Sequence, residues 1–371
     1  MTTIALIAGT RPEIIKMLPV YLALKSRAGV TPRLILTGQH RELAHDVLAR
    51  FHVTPDLDMD VMQPGQTLVS LTERLSQAMG RYMRETPPDM VLVQGDTTSA
   101  MLGGLFGFYQ NIPVGHVEAG LRTGNLRAPY PEEFNRRVLT LAARWHFAPT
   151  AKAAENLARE NIREGVHVVG NTVIDAALMM AKQETEAVAA LKARFPFLTA
   201  PEKQTVLVTA HRRENFGEGI RAIATSIKEL HAHYPHLQFI IPAHPNPNVR
   251  PVFTEILAGI SQVHIIDPVG YDEVLYLMQR AQLILTDSGG IQEEAPAFHV
   301  PVLVLRNETE RPEGIAAGCS VLVGTSPEKI HAVFNRLMRD SLAYRAMAQA
   351  PNPYGDGKAA ARIADIILEG K

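Results

Sequence analysis

Ile4-Ala5-Leu6-Ile7-Ala8-Gly9-Thr10-Arg11-Pro12-Glu13-Ile14-Ile15-Lys16 joins an unbroken apolar run to a turn and then to the start of a helix. A short run rich in Ile and Leu with no polar alternation reads as a strand buried on both faces. Thr10 with Glu13 fits a capping box, and Pro12 suits a first helical turn. The same apolar signature recurs at 34–37, 90–93, 113–117, 166–169, 205–209, 238–242, 263–266, 283–286 and 301–305. Between most of these lie stretches with helical spacing, such as Leu68, Leu71, Leu75, Met79 and Tyr82, or Ile220, Ile223, Ile227 and Leu230. Strands alternating with amphipathic helices predict an α/β protein with parallel sheets covered by helices on both faces. Ten strands are many for one open sheet, and 371 residues at roughly 150 per domain suggest two or three domains. The stretch 172–203 reads as a long charged helix followed by a Pro-containing loop, which places the junction near Gly170. The expectation is two doubly wound domains, 1–170 and 171–354, facing each other across a cleft with ligands at the carboxyl ends of the strands. The turn cluster Asn352-Pro353-Tyr354-Gly355-Asp356-Gly357 precedes an alanine-rich helix, and the tail 355–371 is a candidate to return to the first domain.

Composition narrows the partners. Lys and Arg number 37 against 38 Asp and Glu, a net charge of −1, so no basic excess argues for nucleic acid or an anionic membrane surface. Basic residues that matter must act locally. A single cysteine, Cys319, makes no intramolecular disulfide and no thiolate metal cage. The opening apolar run is soon ended by Arg11 and does not read as a signal peptide, and no run reaches the roughly 18 apolar residues of a membrane span. A reducing cytoplasm is the expected compartment.

Four strand ends carry chemistry. After the first strand, a helix N-terminus with Arg11 and Lys16 beside it suits a phosphate, although both side chains also suit a solvated helix face. The Gly-x-Gly-x-x-Gly fingerprint is absent there, which counts against a dinucleotide cofactor. The stretch Thr286-Asp287-Ser288-Gly289-Gly290-Ile291-Gln292-Glu293-Glu294 is a stronger pointer to a diphosphate, because Ser288 caps a helix and two glycines admit close backbone approach. Glu294 then falls where a carboxylate can accept two ribose hydroxyls or simply complement the dipole. Arg311 lies in a charged loop beyond the next strand. A third cluster is acidic: Gln94-Gly95-Asp96-Thr97-Thr98, His116-Val117-Glu118-Ala119-Gly120 and Tyr130-Pro131-Glu132-Glu133. Asp96 and Glu132 also fit as a cap and a first-turn acid, whereas Glu118 ends a buried strand, where a carboxylate without a ligand is costly. Gathered carboxylates suit proton transfer. Spacing does not complete a metal site, so none is expected. The fourth strand end, Thr209-Ala210-His211-Arg212-Arg213-Glu214-Asn215, places a His and two arginines for an anionic leaving group, and His244 in Ala243-His244-Pro245-Asn246 repeats the pattern.

These motifs, together with Gly170-Asn171-Thr172-Val173-Ile174-Asp175 and Thr309-Glu310-Arg311-Pro312-Glu313, resemble the non-hydrolysing bacterial UDP-N-acetylglucosamine 2-epimerases, in the family's order and from the first strand to Gly357. The resemblance implies a glycosyltransferase-B-like pair of Rossmann-like domains, a homodimer, no cofactor, and interconversion of UDP-GlcNAc with UDP-ManNAc. It implies that Asp96, Glu118 and Glu132 are the acid/base groups, with Glu118 or Asp96 as the C2 base, and that His211 assists the departing diphosphate. Arg11, Lys16, Arg136, Arg212, His244, Ser288, Gly289, Gly290 and Arg311 are then expected on the substrate, Glu294 on ribose, and Val269 and Val274 beside uracil.

One departure from the family concerns activation by a second UDP-GlcNAc. The family's Gln-His-Arg-Gln reads Gln39-His40-Arg41-Glu42 here, and Gly65 replaces an arginine before Gln66-Thr67-Leu68. Fewer cations and an added carboxylate at Glu42 put that activation in doubt. Two other functions fit part of the pattern. A UDP-sugar-dependent glycosyltransferase of the same fold would pass the sugar to an acceptor, and a non-catalytic nucleotide-sugar sensor would need the phosphate site without the carboxylates.

Overall fold

The structure, a computed structural model, describes residues 1–38, 47–63, 65–202 and 204–370. Glu42 lies outside the described residues; Gly65 is described, with a φ of +69°. The chain divides into two units, Met1–Ala176 with Gly355–Lys371, and Ala177–Tyr354. The division falls within the helix Thr172–Met180.

In the first unit, seven parallel strands are β1 (Thr2–Ala8), β2 (Val30–Leu36), β3 (Leu57–Asp58), β4 (Met90–Gln94), β5 (Val114–Val117), β6 (Trp145–Ala148) and β7 (Val166–Val168). Their order is β3-β2-β1-β4-β5-β6-β7. The chain builds outward from β1 in one direction, then returns to the other side of β1 with β4. Ligand crevices in open parallel sheets form at this reversal. The second unit repeats the plan with β8 (Thr205–Thr209), β9 (Gln238–Pro242), β10 (Val263–Ile266), β11 (Ala281–Thr286), β12 (Val302–Val304) and β13 (Ser320–Leu322), in the order β10-β9-β8-β11-β12-β13. Its reversal lies between β8 and β11.

Helices cover both faces, so the central strands are sealed: Ile4 through Ala8, and Val206 through Val208, are buried completely. The second core gathers Phe239, Phe253 and Phe334 beneath the helix Glu218–His233. The C-terminal helix Ala359–Glu369 packs on the helix Arg11–Lys25, and Asp175 accepts the N–H groups of Ala359 (3.2 Å) and Ala360 (2.9 Å) at its start.

Three strands are not visible as apolar runs. β3 and β13 are too short to make one, and His146 interrupts β6. The long charged helix expected over 172–203 is instead two helices, Thr172–Met180 and Glu186–Arg194, followed by a 3-10 turn, Pro196–Thr199. The break is capped: the Thr185 hydroxyl accepts the N–H of Val188 and donates to Asp272 Oδ2 at 2.5 Å, so a cap held by a tertiary partner overrides the periodicity.

Two buried histidines lie side by side, His116 on β5 in register with His146 on β6. Burial pushes His116 down to about 3 and His146 to about 4, the latter helped by Arg122 and His167. Because a carbonyl only accepts, His116 Nε2 carries the proton of its 2.8 Å bond to Gly95 O. That bond steadies the turn after β4.

Two expectations follow from this packing. The His116 ring should stay neutral from pH 5 to pH 8 by NMR, and a midpoint above about pH 5 would contradict the burial argument. Because its folded value lies below the ordinary 6.5, the neutral ring's contribution to stability is present above about pH 6.5 and is lost as pH falls toward 3. Gly120 has φ +91°, and a Cβ there would meet Ala153 O at 2.3 Å. Gly120→Ala should therefore lower unfolding free energy in urea by about 2 kcal/mol or more; a loss below about 0.5 kcal/mol would show that the turn relaxes freely.

Candidate active site

At the reversal in the first sheet, the turn after β1 carries Gly9 and Thr10, and the turn after β4 carries Gly95, Asp96 and Thr97. Glu13 joins the two. Its Oε2 accepts the N–H groups of Gly9 (3.1 Å) and Thr10 (2.6 Å) and the Thr10 hydroxyl (2.7 Å), while Oε1 accepts the Thr97 hydroxyl (2.6 Å). Thr97 in turn caps the helix Thr98–Tyr109 through Ala100 N–H. Burial raises the Glu13 carboxyl, and these donors partly offset the rise. The sequence pattern alone gives Glu13 only a capping role.

Asp96 follows Gly95, whose φ of +73° makes the turn without strain. Glu118 makes the corresponding turn after β5 itself, with φ +66°, a conformation that costs a non-glycine residue on the order of 1 kcal/mol. The strained backbone holds its carboxylate against Lys16 Nζ at 2.5 Å, both side chains largely buried. Asp96 pairs with Arg136, and Arg136 also reaches Glu133 Oε2 at 3.2 Å. Asn135 Nδ2 donates to the Asp96 carbonyl at 2.9 Å. The three expected carboxylates are thus not a bare acidic cluster, because cations from two helices pair with two of them, Glu118 and Asp96.

Glu132 and Glu133 open the helix Glu132–Ala142 and behave differently. Glu133 is fully buried and accepts Thr123 N–H (3.0 Å), Gly124 N–H (3.3 Å) and Arg137 Nε (3.1 Å). Burial pushes its carboxyl up, but these donors and Arg136 together hold it below the ordinary value. Glu132 Oε2, by contrast, is a buried atom that no hydrogen-bond donor among the described residues reaches. An unmatched acceptor in a native interior points to a ligand or a proton. Arg11, half-buried, begins the helix Arg11–Lys25 at the same strand end.

In the second unit, the reversal is bracketed by buried Thr209 and Thr286, whose hydroxyls meet at 2.6 Å. Asp287, fully buried after β11, accepts the N–H groups of His211 (2.8 Å) and Arg212 (2.8 Å) and Asn215 Nδ2 (3.0 Å). A cavity of about 360 Å³ opens there, lined by Thr209, His211, Pro242, His244, Pro268, Val269, Tyr271, Val274, Ser288, Gly290, Ile291 and Glu294. It brings together seven expected residues: His211, His244, Val269, Val274, Ser288, Gly290 and Glu294. Tyr271, not anticipated, donates to Glu294 Oε1 at 2.8 Å and orients that carboxylate. A Cβ added to Gly289 would lie 3.9 Å from the guanidinium groups of both Arg212 and Arg311, so two cations converge at this glycine. Arg311 is itself held by Glu293. A larger cavity of about 670 Å³ in this unit, lined among others by Lys182, Tyr276, Arg280 and Phe298, contains none of the expected residues.

The apolar wall of the smaller cavity suits a planar ring, its oriented carboxylate suits a diol, and the paired guanidinium groups suit a diphosphate. Comparison with known proteins agrees. The family model described as UDP-N-acetylglucosamine 2-epimerase matches residues 22–368. A UDP-N-acetylglucosamine 2-epimerase of Neisseria meningitidis is 45% identical over 98% of this chain and 98% of its own, and one of Escherichia coli K12 is 46% identical over 97% and 96%. A crystal structure of UDP-GlcNAc 2-epimerase from Neisseria meningitidis bound to UDP-GlcNAc matches with a TM-score of 0.92 and 43% identity over the whole of both chains. A match of this extent, over a fold with two sheets of like strand order, establishes that the chain belongs to the UDP-N-acetylglucosamine 2-epimerase family.

Proposed function

We propose that this chain interconverts UDP-GlcNAc and UDP-ManNAc by eliminating UDP and adding it back, with no added cofactor. The C2 proton of the sugar is not adjacent to a carbonyl, so direct abstraction is unfavourable. If the C1–O bond breaks as a base takes the proton, positive charge developing at C1 acidifies C2–H. The C–H electron pair becomes the C1=C2 bond of 2-acetamidoglucal, and the C1–O pair leaves with UDP. Re-addition of the diphosphate oxygen at C1, with a proton delivered to the other face of C2, gives the epimer. Such a sequence needs proton-transfer groups on both faces of the ring.

The observation that carries the reading is the acid set at the carboxyl end of the first sheet: Glu118 held by Lys16, Asp96 held by Arg136, and Glu132 presenting an oxygen that no donor among the described residues reaches. We assign proton transfer to Asp96, Glu118 and Glu132, with Lys16 and Arg136 orienting two of them and, together with Arg11, supplying cations to the substrate. The second unit takes the nucleotide. Uracil packs on Val269 and Val274, Glu294 accepts ribose hydroxyls, and the diphosphate is held by Ser288, Gly289, Gly290, Arg212 and Arg311. His211, beside His244, stabilises the departing diphosphate.

We further propose a cytoplasmic homodimer. Phe108, Tyr109, Phe134 and Leu141 are exposed on two helices of the first unit that pack on each other, an apolar surface suited to a second copy. No helix among the described residues is long and apolar enough to cross a membrane, and burial pushes the lone Cys319 thiol up, as suits an inert structural cysteine.

Incubation with UDP-GlcNAc in heavy water without NAD should place deuterium at C2 of both UDP-hexosamines. Absence of label in a folded chain that binds UDP would refute the reading. Glu118→Gln should keep UDP affinity within about threefold and lower turnover by about 100-fold or more; unchanged turnover would remove Glu118 from the mechanism.

A further inference from the structure

We infer that Asp287 is a positioning residue for His211, using its second carboxylate oxygen to hold the imidazole Nδ1–H and so present Nε2 to the substrate cavity. The inference deepens the proposed function and rests on it for its catalytic meaning. Asp287 is fully buried, and its two oxygens are used unequally. Oδ2 is saturated by the His211 and Arg212 N–H groups and Asn215 Nδ2. Oδ1 is buried with no hydrogen-bond donor among the described residues, and His211 Nδ1 lies 3.4 Å from it. Carboxylate oxygens are not left dry without cost, and in unliganded sites such bonds are commonly long and tighten with substrate.

The other edge of the ring is free to meet a ligand. The His211 side chain is 43% exposed and lines the cavity with Ser288 and Gly290. Around it stand Asp287, the neighbouring Arg212, the ring of His244 stacked at 6.3 Å, and Glu294 and Tyr271 on the cavity wall. With Nδ1–H on the carboxylate, Nε2 donates when the ring is protonated, which suits the oxygen that gains charge as the C1–O bond breaks. The bonds from Oδ2 fix the loop, whereas the bond from Oδ1 sets the ring.

The test uses the whole chain with 15N-labelled histidine, the His211 signals being identified by their loss in His211→Gln. In the wild-type chain the neutral ring should carry its proton on Nδ1, against the Nε2–H preference of a free histidine side chain. In Asp287→Asn kcat should fall about tenfold or more, and KM should change less than about threefold. Placed in the His211→Gln background, Asp287→Asn should cost no further kcat, because its effect passes through the ring. An Nε2–H tautomer in the wild type, or losses that add in the double variant, would overturn the inference and leave Asp287 as a loop anchor. If Asp287→Asn does not fold, the wild-type tautomer decides. A wild-type chain without epimerase activity would refute the proposed function while the tautomer still tests the pair.

Discussion

The candidate acid site depends on one buried carboxylate that is not itself among the proposed catalytic groups. Glu13 accepts donors from the turn after β1 and from the cap of the helix after β4, so the two turns flanking the strand-order reversal are tied as one piece. A parallel sheet only guarantees that loops gather at its carboxyl end. The bonds to Glu13 fix how the turn bearing Asp96 sits against the helix bearing Lys16. His116, neutral and buried one strand further on, grips the Gly95 carbonyl and steadies the same turn from beneath. Asp287 does comparable work in the second unit, where its Oδ2 gathers the start of the His211 loop.

Charge is placed just as locally. With 37 basic against 38 acidic side chains, the protein has no general attraction for a diphosphate, so the cations that meet one must be placed locally. Lys16 and Arg136 neutralise Glu118 and Asp96 in the first unit, while Arg212 and Arg311 converge over Gly289 in the second. Keeping the paired carboxylates in one unit and the converging guanidinium groups in the other lets each unit keep its own electrostatic balance. Glu118 accepts a strained backbone as part of the arrangement, since its left-handed turn aims the carboxylate at Lys16.

Much of this is legible in the sequence because strand-end turns write themselves as short motifs. Doubly buried strands are apolar runs, and seven of the residues expected on substrate or at its leaving group do share one cavity. What escapes a sequence reading is set by tertiary partners. Glu13 looks like an ordinary capping residue until Thr97 reaches it, and Glu132 and Glu133 are indistinguishable until the fold gives donors to Glu133 while no donor among the described residues reaches Glu132 Oε2. Tyr271 has no motif of its own, and its meaning comes from Glu294. Short edge strands such as β3 and β13 carry too few residues for a periodic signal, and the break between Thr172–Met180 and Glu186–Arg194 depends on a bond from Thr185 to Asp272.

Reversible cleavage of the bond between C1 and the diphosphate is the claim on which the mechanism stands. UDP-GlcNAc carrying 18O only in that bridging oxygen tests it directly. Elimination frees the β-phosphate to rotate before re-addition, so the label should spread into the non-bridging oxygens of recovered UDP-GlcNAc and UDP-ManNAc at a rate comparable to epimerisation. Epimerised product that keeps all of its label in the bridge would contradict the account.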